Sequence, residues 1–260
     1  MIKRDINYLK NIRENILRLT HKAKSSHIGS CLSIVEILYT LYFKILKKGD
    51  KFILSKGHAA LALYSCLYEK KTLNKNDLQS FGKNDTTLMA HVSHKVKGVE
   101  FSTGSLGHGL PVSVGKSLLF KKIKKKNKVF VLLSDGELNE GSTWESLLFA
   151  SHHKLDNLNI IIDNNKIQSL GLVKNIIKLE PLKDKLRSFG AKVYRCNGHN
   201  INQLKKYLLI KCKNKPKVII ADTIKGKGIS FMENNNLWHY KNPDDNELNK
   251  AIKEIEIKYA

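Results

Sequence analysis

The sequence predicts an α/β fold of three layers, a mostly parallel sheet with helices on both faces. Short strand-like runs at residues 129–133, 158–162, 193–195 and 218–222 alternate with longer segments whose apolar residues recur at helical spacing. That alternation is the pattern of a parallel sheet covered on both faces by its crossover helices. No repeat, Pro-rich linker or low-complexity segment interrupts it, so residues 1–260 are expected to form one domain with a charged C-terminal tail.

In chain order, apolar spacing predicts amphipathic helices over 5–20 and 33–46. Residues 52–54, Phe-Ile-Leu, read as a short strand, and a helix is expected over 58–69. The next helix, 110–120, carries Pro111 at its second position, where a missing N–H costs little. Strand 129–133 follows, then a helix near 142–153, strand 158–162, and a helix near 181–189. Strand 193–195, helix 202–212 and strand 218–222 complete the alternation. The basic run 121–128 breaks an apolar pattern between a helix and a strand and reads as a solvated loop. Beyond Pro243 the chain is charged and predicts a surface helix.

At 42% apolar residues the chain can bury a sizeable core. No apolar stretch approaches the length of a membrane span, and the N-terminus, MIKRDINYLKNIREN, lacks the uninterrupted apolar run of a signal peptide. No membrane partner is therefore expected. Cys31, Cys66, Cys196 and Cys212 stand far apart, which fits reduced thiols and a cytoplasmic location better than disulfides or zinc. A formal charge of +23 raises a nucleic-acid reading. Against it, only five of the 46 basic residues are Arg, the side chain suited to bidentate phosphate contacts. The abundance of Lys with Asn and Ile is what codon drift in an AT-rich genome produces, so no nucleic-acid partner is expected.

The chemistry concentrates between Ser134 and Gly171. The run 129–133 ends in Ser134-Asp135-Gly136, and Asn165, 30 positions after Asp135, stands just past the run 158–162. An acid and an amide at the C-terminal ends of two strands suit a hard cation carrying a diphosphate: Mg²⁺ takes oxygen ligands and shares them with phosphate. Open parallel sheets bind ligands at this edge. Read alone, an Asp-Gly turn and an Asn-rich loop are also common surface features. Gly104-Ser105-Leu106-Gly107-His108-Gly109 leads into the helix at 110, and such a turn presents N–H groups to an anion. Its spacing is GxxGxG rather than the Rossmann pattern, residues 225–228 are not a Walker A loop, and by itself the segment is as readily a plain turn.

The segment SDGELNEG…DNNKIQSLG resembles the thiamine diphosphate signature and, more closely, the N-terminal half of transketolases. The resemblance implies the thiamine diphosphate-binding fold, in its diphosphate-binding module. It implies metal ligation by Asp135, Asn165 and the backbone carbonyl of Ile167, with Gly136 and Asn165 beside the diphosphate. Ser134 stands where the signature has Gly. The 104–109 segment is similar to the family's GPLGQG loop, which makes Gly104, Ser105 and Leu106 cofactor contacts, with Ser105 in place of Pro and His108 in place of Gln. Glu140 of the Glu140-Gly141 pair matches a family Glu that links cofactor sites across the subunit interface. Read without the family, Glu140 is a solvated carboxylate favoured by a helix start.

Histidines complete the resemblance. His27 in SSHIGS, His58 in SKGHAA, His91 ahead of the glycine loop and His239 in LWHY stand at family positions, with His94 competing for the place of His91. The family implies that His58 lies beside the diphosphate, that His27 and His91 face substrate, and that His239 reaches both. Imidazole suits this work because it titrates near neutrality and donates hydrogen bonds to phosphate or carbonyl oxygen. His21, His152, His153 and His199 have no comparable support.

The resemblance runs in ordered motifs from about Thr20 to Pro243. It implies a Mg²⁺- and thiamine diphosphate-dependent transferase that moves a two-carbon ketol unit from a ketose, phosphorylated or nucleotide-linked, to an aldehyde. The expected partner is a transketolase C-terminal, pyrimidine-binding subunit, because no segment after His239 matches the family's aminopyrimidine-protonating Glu. The expected assembly is a homodimer or heterotetramer. Other thiamine diphosphate lyases or synthases, a basic nucleic-acid-binding protein and a non-catalytic interaction subunit stand as alternatives.

Overall fold

In the computed structural model, which describes residues 3–259, five parallel strands form a sheet in the order β1-β2-β3-β5-β4. They are β1 (Lys51–Leu54), β2 (Val129–Ser134), β3 (Leu158–Asn164), β4 (Lys192–Asn197) and β5 (Lys217–Asp222). Met1, Ile2 and Ala260, which the one-domain expectation includes, lie outside the described residues.

Side-chain alternation divides the core between the two faces. In-register neighbours Leu54, Leu132, Ile161 and Ile219 point to one face, and Val131, Ile160 and Val218 to the other. The second face is covered by helices Gly109–Lys122, Gly141–His152 and Leu182–Ser188, which precede β2, β3 and β4 in turn. From β4 the chain steps back to insert β5, so a right-handed crossover must use the opposite face. Helix Ile201–Leu209 is accordingly found there, beside helices Lys3–Ala23, Val35–Thr40 and Ala60–Glu69. Strands buried on both sides explain runs such as LNIII with no polar alternation.

Three expectations change. The helix expected over 33–46 starts two residues later and widens: Val35–Thr40 runs directly into a π-turn, Leu41–Ile45, and a separate short helix, Ile28–Leu32, precedes it. Ser33 stands at the junction of these two helices, where its single hydroxyl proton lies within reach of Asp163 (2.7 Å) and, more distantly, of Ser30 O (3.0 Å). The helix expected over 202–212 ends at Leu209. The charged tail forms helix Asp245–Lys258, opened by an Asp244–Glu247 capping box, but it is not merely a surface helix. Ala251, Ile252 and Ile255 are buried in the core shared with the first helix. Among the described residues no helix is long and apolar enough to cross a membrane, and all four cysteines are free thiols.

Candidate active site

The C-terminal ends of β1, β2, β3 and β5 meet at one rim, and backbone bonds extend the ladder past the strands there. Ser55 N donates to Leu132 O (2.9 Å), Asp135 N to Asp163 O (3.2 Å) and Thr223 N to Asn164 O (3.3 Å). A cavity of about 110 Å³ opens at this rim, lined by Ser30, Lys56, His58, Leu106, Ser134, Asp135, Gly136, Asn165, Ile167, Gln168, Ser169 and His239. Residues far apart in sequence thus converge at the C-terminal edge of the parallel sheet, the edge at which open α/β sheets take ligands.

Asp135 is 1% exposed. Its carboxylate accepts from Lys166 N (2.6 Å) and Gly136 N (2.8 Å). Burial, reinforced by the neighbouring Asp163 charge, pushes its pKa up to about 6, so its negative charge is undercompensated. Asn165 donates from Nδ2 to Asp163 (3.0 Å) and accepts at Oδ1 from Ile167 N (3.1 Å). Ile167, 6% exposed, turns its carbonyl toward the Lys225 ammonium (3.2 Å). The three expected metal ligands line one cavity as a carboxylate, an amide oxygen and a carbonyl oxygen, the all-oxygen set a hard Mg²⁺ takes beside phosphate. Among the described residues no group of three or more His, Cys, Asp or Glu could hold a metal, as expected of a set with a single carboxylate.

Asp163, absent from the sequence expectations, organises the floor. Fully buried in β3, it accepts from Lys56 Nζ (2.5 Å), Ser33 Oγ (2.7 Å), Asn165 Nδ2 (3.0 Å) and Thr223 Oγ1. Burial alone would raise its pKa; the Lys56 ammonium and these hydrogen bonds outweigh it and hold the carboxyl below its ordinary value. The ionic pair is fully desolvated, with both side chains 0% exposed. An acid inside the apolar run IIIDNN was the available signal for Asp163, and the Lys of SKGH for Lys56.

Glu137 sets the glycine loop. Fully buried, it accepts from Ser55 Oγ, Gly107 N (3.0 Å) and Ser134 N (3.4 Å). Ser55 Oγ in turn accepts from Gly109 N (3.1 Å). Gly107 has φ +82°, and a Cβ there would meet Ser142 Oγ at 2.5 Å, so a side chain would push the loop off its seat. Ser134, in the place of the signature Gly, is accommodated because its Oγ accepts from Glu137 N (3.2 Å).

The four histidines cluster over the cavity. The His27 ring lies 5.3 Å from His58, 5.6 Å from His91 and 5.0 Å from His239. His27 is held in the left-handed region (φ 71°), and its N–H donates to His239 O (2.8 Å). Of His91 and His94, the His91 ring is the one that joins this cluster. His94 sits outside the cluster with its Nδ1 2.7 Å from Ser102 Oγ. Lys225, in the loop that the sequence offered only as a failed Walker A pattern, donates its ammonium to His239 Nδ1 (2.8 Å), leaving the proton of that neutral imidazole on Nε2. Burial lowers the Lys225 pKa to about 8, with Lys56 adding to the shift.

Burial also depresses every ring in the cluster. His27 falls to about 4, with His91 and the two ammoniums contributing, and His239 to about 3, with Lys225 next in effect. His58 lies well below its usual value and His91 is lowered. All four are neutral at physiological pH. These rings bind protons less readily folded than unfolded, so their burial costs nothing above about pH 6.5 and weakens the fold as pH falls from there toward the depressed values. The cofactor-free chain is therefore expected to lose stability between about pH 6.5 and 4, and His239→Asn should flatten that slope in denaturant titrations. An unchanged slope would remove His239 as a contributor.

The remaining expected residues sit at the rim. Gly104 lies against the His91 ring, Leu106 lines the cavity and Ser105 is exposed. Gly136 also lines the cavity, and a Cβ there would press on the Gln168 side chain at 3.3 Å. Glu140 is exposed and makes no side-chain hydrogen bond among the described residues.

Comparison with known proteins adds the family. The model of the transketolase thiamine diphosphate binding domain matches residues 4–258. An apulose-4-phosphate transketolase subunit from Actinobacillus succinogenes is 43% identical over 258 residues, covering 95% of this chain and 94% of that protein. The 6-deoxy-6-sulfo-D-fructose transketolase subunit of a Clostridium strain is 34% identical, covering 94% of both. Among solved structures, the transketolase of Campylobacter jejuni superposes with a TM-score of 0.88 at 29% identity, over 98% of this chain and 42% of that one. The chain thus spans about two fifths of the length of that solved protein.

Proposed function

Because the chain belongs to the transketolase family, in its thiamine diphosphate binding domain, we propose that it acts as one diphosphate-binding unit, the N-terminal subunit of a Mg²⁺-dependent transketolase. The reaction moves a two-carbon ketol unit from a ketose to an aldehyde acceptor. The observation that carries this reading is the meeting of Asp135, Asn165 and the Ile167 carbonyl with neutral imidazoles around one cavity at the sheet edge. Two relatives that match over nearly their full length are each named as one subunit of a transketolase, which supports a second, different chain as partner. Those relatives and the sulfofructose enzyme are named for different sugars, so similarity to them supports a ketose and not one particular ketose.

Each residue has a role set by its chemistry. Asp135, Asn165 and the Ile167 carbonyl would hold Mg²⁺, with Gly136, His58 and Lys225 beside the diphosphate. Gly104, Ser105 and Leu106 would form the wall against the cofactor's rings. Thiamine diphosphate supplies carbanion stabilisation when bound. His27, His91 and His239 would hold and move protons at substrate hydroxyl and carbonyl oxygens, for which neutral rings beside two ammoniums are suited. Glu140, exposed at the rim, would face the partner chain.

The test separates binding from turnover. In the assembled enzyme, His58→Ala should weaken thiamine diphosphate binding, whereas His27→Ala and His239→Ala should slow turnover by on the order of 10²–10⁴-fold. Cofactor titrations with and without Mg²⁺, alongside ketol-transfer assays, read both. If His58→Ala keeps its affinity while His239→Ala loses all binding, the assignment is wrong.

A further inference from the structure

One buried carboxylate outside the cavity holds the backbone on both sides of Lys225. Glu36, on helix Val35–Thr40, is 6% exposed, and Arg13, on the first helix, is 0% exposed. Glu36 Oε1 accepts from Arg13 Nη2 (2.6 Å), and Arg13 Nε donates onward to Lys227 O (3.2 Å). Glu36 Oε2 lies 2.9 Å from His199 Nδ1, while His199 Nε2 lies 2.9 Å from Ile224 N. The Ile224 N–H can only donate, so His199 Nε2 accepts and Nδ1 carries the proton given to Glu36. The two backbone groups gripped, Ile224 N–H and Lys227 C=O, flank Lys225 and Gly226. Burial works against the Glu36 charge, yet Arg13 and His199 hold its pKa down to about 2, so the brace is ionised throughout the physiological range.

The loop is shaped to receive this grip. Gly228 has φ +108°, and a Cβ there would meet Arg13 Nε at 2.9 Å, so the guanidinium reaches the loop only across a glycine. Gly226 N donates to Gly29 O (2.9 Å) and ties the same turn to the helix that follows His27. Between these anchors Lys225 extends to Ile167 O (3.2 Å), Gln168 O (3.4 Å) and His239 Nδ1 (2.8 Å). A four-methylene stem is flexible, so the aim of its ammonium depends on where the backbone at 225 is fixed. Partner groups one step behind a ligand set its orientation in this way.

We propose that His199, charge-anchored by the Arg13–Glu36 pair, is a positioning residue that aims Lys225 at the cofactor's diphosphate through the Ile224 N–H. The proposal rests on the placement of the diphosphate argued above. It gives His199 of the CNGHN segment a role that its sequence context did not suggest.

The experiment uses His199→Phe, which removes the acceptor, His199→Asn, which is polar but too short to span Glu36 and Ile224, and His199→Gln, which restores an acceptor. Hydrogen exchange of the Ile224 amide, measured without cofactor, should speed up by about 10-fold or more in the Phe and Asn variants and recover in Gln. In the assembled enzyme, thiamine diphosphate affinity with Mg²⁺ should fall on the order of 10-fold in the first two and largely return in Gln. In a Lys225→Met background the same His199 substitutions should change affinity by less than about twofold, because a residue acting through Lys225 has nothing left to aim. A structural role alone would give losses that multiply. Multiplying losses, or unchanged Ile224 exchange in both Phe and Asn variants, overturn the proposal. If the unmutated assembly binds no thiamine diphosphate, the functional reading fails, and the exchange measurement still decides whether the brace exists.

Discussion

Asp135→Ala is expected to abolish Mg²⁺-dependent thiamine diphosphate binding, lowering affinity by on the order of 100-fold or more, because even groups one step behind a metal ligand are worth 10–100-fold. The carboxylate is the one anionic member of the ligand set, and the diphosphate it would share the metal with is itself an anion. Its removal also leaves the Lys166 and Gly136 N–H groups without their acceptor, so Asp135→Asn is the cleaner variant. The sign of the stability change separates function from folding. Burial and the Asp163 charge raise the Asp135 pKa to about 6, so its stabilising contribution is full only below the unfolded value and is lost as pH rises through about 6. At neutral pH the cofactor-free Asp135→Asn chain should therefore be as stable as the unmutated chain, or more so, while the cofactor is lost. Titration calorimetry and thermal melts read the two quantities. Affinity within about twofold of the unmutated assembly would take Asp135 out of the metal shell.

The parts of this site legible in the sequence are those that short contiguous patterns specify. Strands buried on both faces announce themselves as apolar runs, and the residues just past β2 and β3 could be placed at the sheet edge from the runs alone. The histidines could be named but not arranged, since His91 and His94 differ only in that one ring faces His27 and the other Ser102. What stayed hidden depends on distance in the chain. Lys56 and Asp163 are 107 residues apart, and Glu36 and His199 are 163 apart. No local pattern says which charge meets which, because a charge is acceptable in a core only beside its partner, and the fold supplies the partner. The bond from Ser33 Oγ was hidden for the same reason: its acceptor, Asp163, comes from β3.

The second large effect concerns the partner. This chain by itself is expected to show almost no ketol transfer, and activity should appear when it is mixed with a transketolase C-terminal subunit. The cavity holds the groups proposed for Mg²⁺ and diphosphate, but its rim is open: Ser105, His108 and Glu140 are exposed. Beside that rim stand large apolar side chains facing solvent, Leu170 at 82%, Tyr240 at 61% and Leu237 at 56% exposure. Leu170 directly follows the cavity-lining Ile167, Gln168 and Ser169, so an apolar surface there is continuous with the site, a placement typical of an association face. Covering it would close the cavity from water and strengthen the electrostatics inside. The mixture should therefore show three changes together: ketol transfer, tighter thiamine diphosphate binding than the chain alone, and a rise in mass to a two-plus-two assembly. Leu170→Glu should suppress all three by placing a charge on the closing face, while leaving the melting temperature of the isolated chain nearly unchanged, since the residue is exposed there. Full transferase activity from the isolated chain, or a mixture in which Leu170→Glu assembles and turns over normally, would show that the site does not need this surface covered.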